Sequence, residues 1–230
     1  MSQAHLGLLV ATTNRGKLAE LRSLLADLPV EILSLTDVMP GRPAPVEDGA
    51  TFEDNALIKA RAAAAAAMMV TLAEDSGLEV DALGGRPGVR SARYAKEGAT
   101  DAENNEALLS ALEHVEDTQR QARFRCVMVL IDPWSDQGPI ITEGRCEGTI
   151  ARQARGMGGF GYDPLFVVSG YGRTMAELDD DEKNHASHRG KATRAMRPAL
   201  EAMIERRVRE ARRVLGAARP AGEASEDGGG

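Results

Sequence analysis

Aromatic residues are scarce: Phe, Trp and Tyr make up 3% of the 230 residues. The interior must therefore be built from Ala, Val, Leu, Ile and Met. Cysteine is nearly missing too. Cys126 and Cys146 cannot make a disulfide framework, and both fall in apolar or alternating segments that suit buried free thiols. No apolar run is long enough to cross a bilayer. The start, Met1-Ser2-Gln3-Ala4-His5, has neither the basic nor the long apolar region of a signal peptide, so the chain reads as cytoplasmic. Positive charge is in deficit, with 28 Lys and Arg against 35 Asp and Glu and a net charge of −7. That argues against broad binding to nucleic-acid backbones, which needs a cationic surplus. It leaves room for a small anionic substrate, because a local basic pocket or a bound cation inverts the sign inside one cleft.

What is present is ordinary globular material: 27% charged and 43% hydrophobic residues, and enough length for one buried core. Residues 1–216 read as a single domain. Residues 217–230, small, polar and glycine-ended, read as a disordered tail.

Leu6 to Thr12 suits a buried strand, and Lys17 to Leu28 a helix with Leu18, Leu21, Leu24 and Leu25 on one face. Val30 to Leu35 reads as a second strand. Thr36 to Gly49, with three prolines and two glycines, reads as a loop. Thr51 to Val70 is a strong Ala-rich helix. Extended chain is expected on both sides of Ala73-Glu74-Asp75-Ser76-Gly77, and Gly84 to Gly88 must form a tight connection. Thr100 with Glu103 forms a capping box for a helix to about Val115. Arg123 to Asp132 and Ile140 to Ile150 read as a long hairpin. Thr174 with Glu177 suggests a short capped helix, and Ser187 caps a long one in which Pro198 predicts a kink or break. Strands alternating with helices and then a hairpin give an α/β fold with a mixed sheet, its site on loops at strand ends.

Five segments can carry chemistry, and each has a plainer alternative. Thr12-Thr13-Asn14-Arg15-Gly16-Lys17 opens a helix whose free N–H groups and dipole favour an anion; it also suits an ordinary capped turn. Glu74 and Asp75 are hard-oxygen ligands suited to Mg²⁺ or to activating water, or simply an acidic turn. Glu53, Asp54 and Asn55 begin the Ala-rich helix, where carboxylates usually serve the dipole; Lys59 lies one turn on and can share a cleft with Asn55. Gly158-Gly159-Phe160-Gly161-Tyr162-Asp163-Pro164 places aromatics and an Asp where a base can stack and pair, or where Phe160 anchors a turn. Lys183 with Ser187-His188-Arg189-Gly190-Lys191 gathers cations at a helix N-terminus, against the dipole, which is a mark of function as much as of a solvated turn.

Taken in order, these segments closely resemble the non-canonical purine nucleoside triphosphate pyrophosphatases, also called the inosine triphosphate or XTP/dITP pyrophosphatase family. The resemblance rests on TTNRGK at Thr12 to Lys17, TFEDNALIKA at Thr51 to Ala60, AEDSGLEVDALGG at Ala73 to Gly85, PGVRSARY at Pro87 to Tyr94, GGFGYDP at Gly158 to Pro164 and SHRGKA at Ser187 to Ala192. It implies hydrolysis of ITP, dITP and XTP to the monophosphate and pyrophosphate, a Mg²⁺ requirement and a homodimer. The implied fold is a long mixed β-sheet with flanking helices forming two lobes around a central cleft. Carried over by position, Asp75 is the expected proton acceptor and a metal ligand, with Glu74 and Asp54 as further ligands. Ser76 is a substrate contact. Thr12, Thr13, Asn14, Arg15, Gly16 and Lys17, with Lys59, are the expected triphosphate cradle. Phe160, Gly161, Tyr162, Asp163, Lys183, His188 and Arg189 are the expected purine pocket. Two positions depart from the family: Asp54 stands where Glu is common, and Glu74 where bacterial relatives often have Asp. Three other readings are disfavoured. SHRGKA and GGFGYDP weigh against a pyrophosphatase of modified pyrimidine triphosphates, the intact Glu74-Asp75 pair against a silent nucleotide binder, and the net charge against a nucleic-acid binder.

Overall fold

A computed structural model describes residues 6–43 and 45–217 of the chain. Six strands form one sheet in the order β2-β1-β3-β4-β5-β6. β1 (Leu6–Val10), β2 (Val30–Ser34) and β3 (Thr71–Val80) are parallel. β4 (Gln121–Ile131), β5 (Ile140–Ile150) and β6 (Phe166–Val168) continue the sheet antiparallel from β3. The expected mixed sheet with flanking helices is what forms, and the expected hairpin is β4–β5.

The helices are α1 (Arg15–Leu24), α2 (Leu35–Val38), α3 (Phe52–Ala67), α4 (Asp101–Ala111), α5 (Asp180–Ala186) and α6 (His188–Ala217). Capping boxes start α2, α3, α4 and α5, from Ser34 with Asp37, Thr51 with Asp54, Thr100 with Glu103 and Asp179 with Glu182. Each pairs two donors that helix geometry leaves open. Sequence reading recognised the box at Thr100 but passed over α5 and put α2 in a loop.

Each sheet face has its own cover. Leu8, Val10, Leu72, Cys126, Met128 and Leu130 pack under α1 and α6. Leu9, Ala11, Ala73, Val127 and Val129 pack under α3, where the buried alanines Ala56, Ala60 and Ala63 let the helix lie close. A third cluster around Leu78, Phe124, Phe166 and Leu108 forms the other lobe.

Two expectations are corrected here. The acidic run was expected at a strand end or turn, but β3 is unbroken from Thr71 to Val80, with Glu74 opposite Met128 and Asp75 opposite Val127 on β4. Pro198 does not interrupt α6. Met196 and Leu200, both fully buried, flank it. Fully burying such side chains gains about 1.5–3 kcal/mol each, enough to offset the roughly 3 kcal/mol cost of an interior proline. Both cysteines are buried and free, as expected. Gly84, Gly85 and Gly88 all have positive φ, which explains the glycine-dependent connection. No helix among the described residues is long and apolar enough to cross a membrane. The expected tail beyond Ala217 lies outside the described residues.

Candidate active site

Asp75 and Glu74 are adjacent on a strand, so they point to opposite faces of the sheet. Asp75 faces α3 and the cleft. Lys59 Nζ donates to its Oδ1 (3.0 Å) and Asn55 Nδ2 to its Oδ2 (3.2 Å). Asn55 and Lys59 are one turn apart on α3, both buried, and therefore reach the same carboxylate. Lys59 also donates to Glu47 Oε2 (2.9 Å), so one ammonium ties two carboxylates together. Burial would lower the Lys59 pKa, but Asp75 and Glu47 outweigh it and raise it above the ordinary lysine value.

Glu74 faces the other way, under α6. Arg189 Nε donates to its Oε2 (2.9 Å), the Cys126 thiol donates to the same oxygen (2.9 Å), and Lys17 Nζ lies 3.3 Å from Oε1. Burial pushes the Glu74 pKa up, yet Arg189 and Lys17 hold it well below the usual carboxylate range. The expected metal trio is thus not assembled. Glu74 is a buried counter-ion for two cations, and Asp54 is exposed at the third position of α3, where its Oδ2 accepts from Thr51 N (3.1 Å) and Oγ1 (2.8 Å). No group of three or more His, Cys, Asp or Glu among the described residues could hold a metal ion. Of the carboxylates lining the cleft, Asp75 and Glu47 are brought together through Lys59 and are the two that could share one. Mg²⁺ commonly takes one or two carboxylates and completes its shell with water and phosphate oxygens, so this sparse donor set fits it.

The cleft has a volume of about 740 Å³, and Thr12, Thr13, Asn14 and Lys17 line it at the C-terminal end of β1. Asn14 caps α1, its Oδ1 accepting from Lys17 N (3.0 Å). The helix opens toward the cleft with no acidic residue in its first turn, which leaves its positive end for an anion. Arg15 is exposed and outside this lining. Gly16 acts through its lack of a side chain: a Cβ there would sit 2.6 Å from the Phe160 ring.

Phe160 is therefore packed onto α1, with Lys183 Nζ 5.2 Å and the Arg189 guanidinium 5.6 Å from its ring centre. Lys183 Nζ reaches Asp163 Oδ2 (2.7 Å) and Glu20 Oε1 (2.6 Å). These carboxylates outweigh burial and raise its pKa. Asp163 also accepts from Phe160 N (3.0 Å), fixing the glycine-rich turn. Gly161 N donates to Asp101 Oδ2 (2.7 Å) and its carbonyl accepts from Asn105 (2.9 Å), joining that turn to α4.

Arg189 is almost wholly buried and bonded to Glu74, Glu20 and Ser76 Oγ. It was expected in the purine pocket and does line the cleft, but its donors are committed to holding Ser76 and the two acids. Tyr162 is likewise a structural residue: it is buried and its hydroxyl donates to the Ser91 carbonyl (2.8 Å), while burial raises its pKa. His188 stacks on Phe124 with ring centres 4.7 Å apart and lines the cleft. Burial, reinforced by the Arg189 charge, pushes its pKa well below the ordinary histidine value, and its buried Nδ1 has no partner among the described residues. It sits where it does because Ser187 caps α6, accepting from Gly190 N (3.0 Å).

Sequence reading missed Glu20 and Glu47. Glu20 lies three residues after Lys17 on α1, hence on the same helix face, and that spacing was a usable signal. Glu47 comes from an irregular loop with no periodicity to read.

The Ham1 family model matches residues 8–199. Over 194 residues the chain is 50% identical to the dITP/XTP pyrophosphatase of Thioalkalivibrio sulfidiphilus, covering 84% of this chain and 98% of that protein. It is 49% identical over 196 residues to the dITP/XTP pyrophosphatase of Methylococcus capsulatus, covering 85% and 96%. A solved HAM1 protein from Coxiella burnetii superposes with a TM-score of 0.77 at 46% identity, covering 86% of this chain and 99% of that one.

Proposed function

The chain belongs to the Ham1 family, and from that premise we propose that it hydrolyses nucleoside triphosphates to the monophosphate and pyrophosphate, with ITP, dITP and XTP as its substrates and Mg²⁺ as its cofactor. One observation carries the reading. A single cleft is lined by a hydrogen-bonded carboxylate, Asp75, by an aromatic turn whose Phe160 ring lies beside Lys183, by His188 and by the N-terminal residues of α1.

In this reading Asp75 accepts the proton of a water that attacks the α-phosphorus. The bond from that phosphorus to the oxygen bridging to the β-phosphate breaks, and pyrophosphate leaves. Lys59 and Asn55 hold the carboxylate in place, and Lys59 with Lys17 stabilises charge on the phosphoryl oxygens. Asp75 and Glu47 would hold Mg²⁺, which when bound neutralises the triphosphate and polarises its oxygens.

The purine would lie against Phe160. Hypoxanthine and xanthine offer a 6-oxo acceptor and an N1–H; adenine offers a 6-amino donor instead. Lys183 and a neutral His188 supply the matching donors, and a donor left facing the amino group of ATP discriminates against it. The test is pyrophosphate release from ITP, XTP, dITP, ATP, GTP and UTP, each with and without Mg²⁺. Fast release from ITP, XTP and dITP, slow release from ATP and UTP, and none in EDTA are expected; equal rates on all six overturn the purine assignment, and no release overturns the activity.

A further inference from the structure

Six cationic side chains line the cleft: Lys17, Arg42, Lys59, Arg93, Lys183 and Arg189. Five are bound to carboxylates of the protein itself, Lys17 to Glu74, Lys59 to Asp75 and Glu47, Arg93 to Glu97, Lys183 to Asp163 and Glu20, and Arg189 to Glu74 and Glu20. Arg42 is different. Among the described residues no carboxylate lies within ion-pair distance of it, and its one side-chain contact of hydrogen-bond type is with Met39 Sδ at 4.0 Å. Charge balance gives that difference weight. Carboxylates on the same walls, among them Asp75, Glu47, Asp163 and Glu20, cancel most of the pinned cations, and the chain as a whole carries −7. In a cleft so balanced, a cation not already paired with a carboxylate of the protein adds attraction for a polyphosphate that the paired ones cannot give in full.

Position narrows the target. Arg42 comes from the segment between α2 and α3 that also supplies Glu47, and Glu47 is linked through Lys59 to Asp75. The aromatic turn and Lys183 come from other segments, near α4 and α5. A guanidinium offers a planar fork that fits two phosphate oxygens.

We propose that Arg42 is a phosphate contact of this site, binding the pyrophosphoryl end of the triphosphate, the part that leaves, and not the base or the α-phosphate. The proposal rests on the pyrophosphatase reading, so its test has a readout that needs no turnover. Calorimetric titration with magnesium pyrophosphate and, separately, with IMP is run on the wild type, Arg42→Ala and Arg42→Lys. The expected result is pyrophosphate affinity lower by about tenfold or more in Arg42→Ala, as for loss of a charge-assisted hydrogen bond, partly kept in Arg42→Lys, with IMP affinity unchanged. In turnover, KM for ITP rises while kcat holds within about threefold. Unchanged pyrophosphate affinity overturns the proposal, as does an equal loss for IMP. A wild type that turns over no triphosphate, yet loses pyrophosphate affinity on Arg42→Ala, overturns the activity and leaves the phosphate contact standing.

Discussion

Glu74 and Asp75 are neighbours in the chain and opposites in the fold: one is sealed under α6 between Arg189 and Lys17, the other opens on the cleft between Lys59 and Asn55. The two carboxylates therefore have separable effects, and substitutions tell them apart.

Replacing Asp75 with Asn keeps the shape and the Lys59–Glu47 pair but removes the proton acceptor. Turnover of ITP should fall by about 10²-fold or more, the range of a lost general base, while the thermal midpoint stays within a few degrees. A steady-state rate measured beside a melting curve checks both. Near-normal turnover in the folded variant contradicts the role given to Asp75.

Replacing Glu74 with Gln removes the buried carboxylate that Arg189 and Lys17 share, leaving Arg189 with Glu20 alone and Lys17 unpaired among the described residues. Breaking such a pair costs about 3–5 kcal/mol, so a drop in midpoint of roughly 6–20 °C is expected for a chain of this size. The Mg²⁺ concentration for half-maximal rate should not move. A large shift in Mg²⁺ dependence with little loss of stability would make Glu74 a metal ligand after all.

Glu74 also sets a pH dependence. Its folded-state pKa is depressed by Arg189 and Lys17 against the opposing effect of burial, so the unfolded chain binds its proton first. The stabilisation is complete above the unfolded value of about 4.3 and is lost as pH falls below it. Denaturant unfolding between pH 3 and 6 should show a steeper acid loss in the wild type than in Glu74→Gln; parallel curves would contradict this.

His188 titrates in the opposite sense to a salt-bridged histidine. Burial lowers its folded pKa, so the unfolded chain takes up the proton first and stability falls as pH drops below about 6.5. Imidazole ¹⁵N shifts should show His188 neutral from pH 8 to pH 6. A midpoint near 6.5 would refute the neutral donor proposed for the base pocket.

Much of the site was legible in the sequence because it sits in short segments that open helices. Asn14, Thr51, Thr100 and Ser187 announce themselves by cap chemistry, and the glycine-rich turn by composition. The direction of a side chain was harder to read. An acidic pair flanked by extended chain looks the same whether it turns or runs straight through a sheet, and only pairing with β4 along its whole length sent Glu74 and Asp75 to opposite faces. Asp54 was expected as a ligand on the resemblance alone; read from the residues, a first-turn carboxylate usually serves the helix, and here it closes the capping box with Thr51. Arg189 looked free because its partners, Glu20 and Glu74, lie 169 and 115 residues away. The proline rule failed at Pro198 because tertiary packing of Met196 and Leu200 was not visible to it.

Gly16→Ala probes how the two ends of the cleft are joined. The new methyl would press on the Phe160 ring at 2.6 Å, and overpacking of that kind costs about 1–3 kcal/mol. KM for ITP should rise several-fold with kcat little changed, because the ring moves and Asp75 does not. An unchanged KM would remove Phe160 from the base site.

The most direct test of the central claim follows the oxygen. Hydrolysis of ITP in H₂¹⁸O, read by mass spectrometry, should place one ¹⁸O in IMP and none in pyrophosphate, as water activated by Asp75 attacks the α-phosphorus. Label in pyrophosphate, or release of orthophosphate with IDP, would contradict the account.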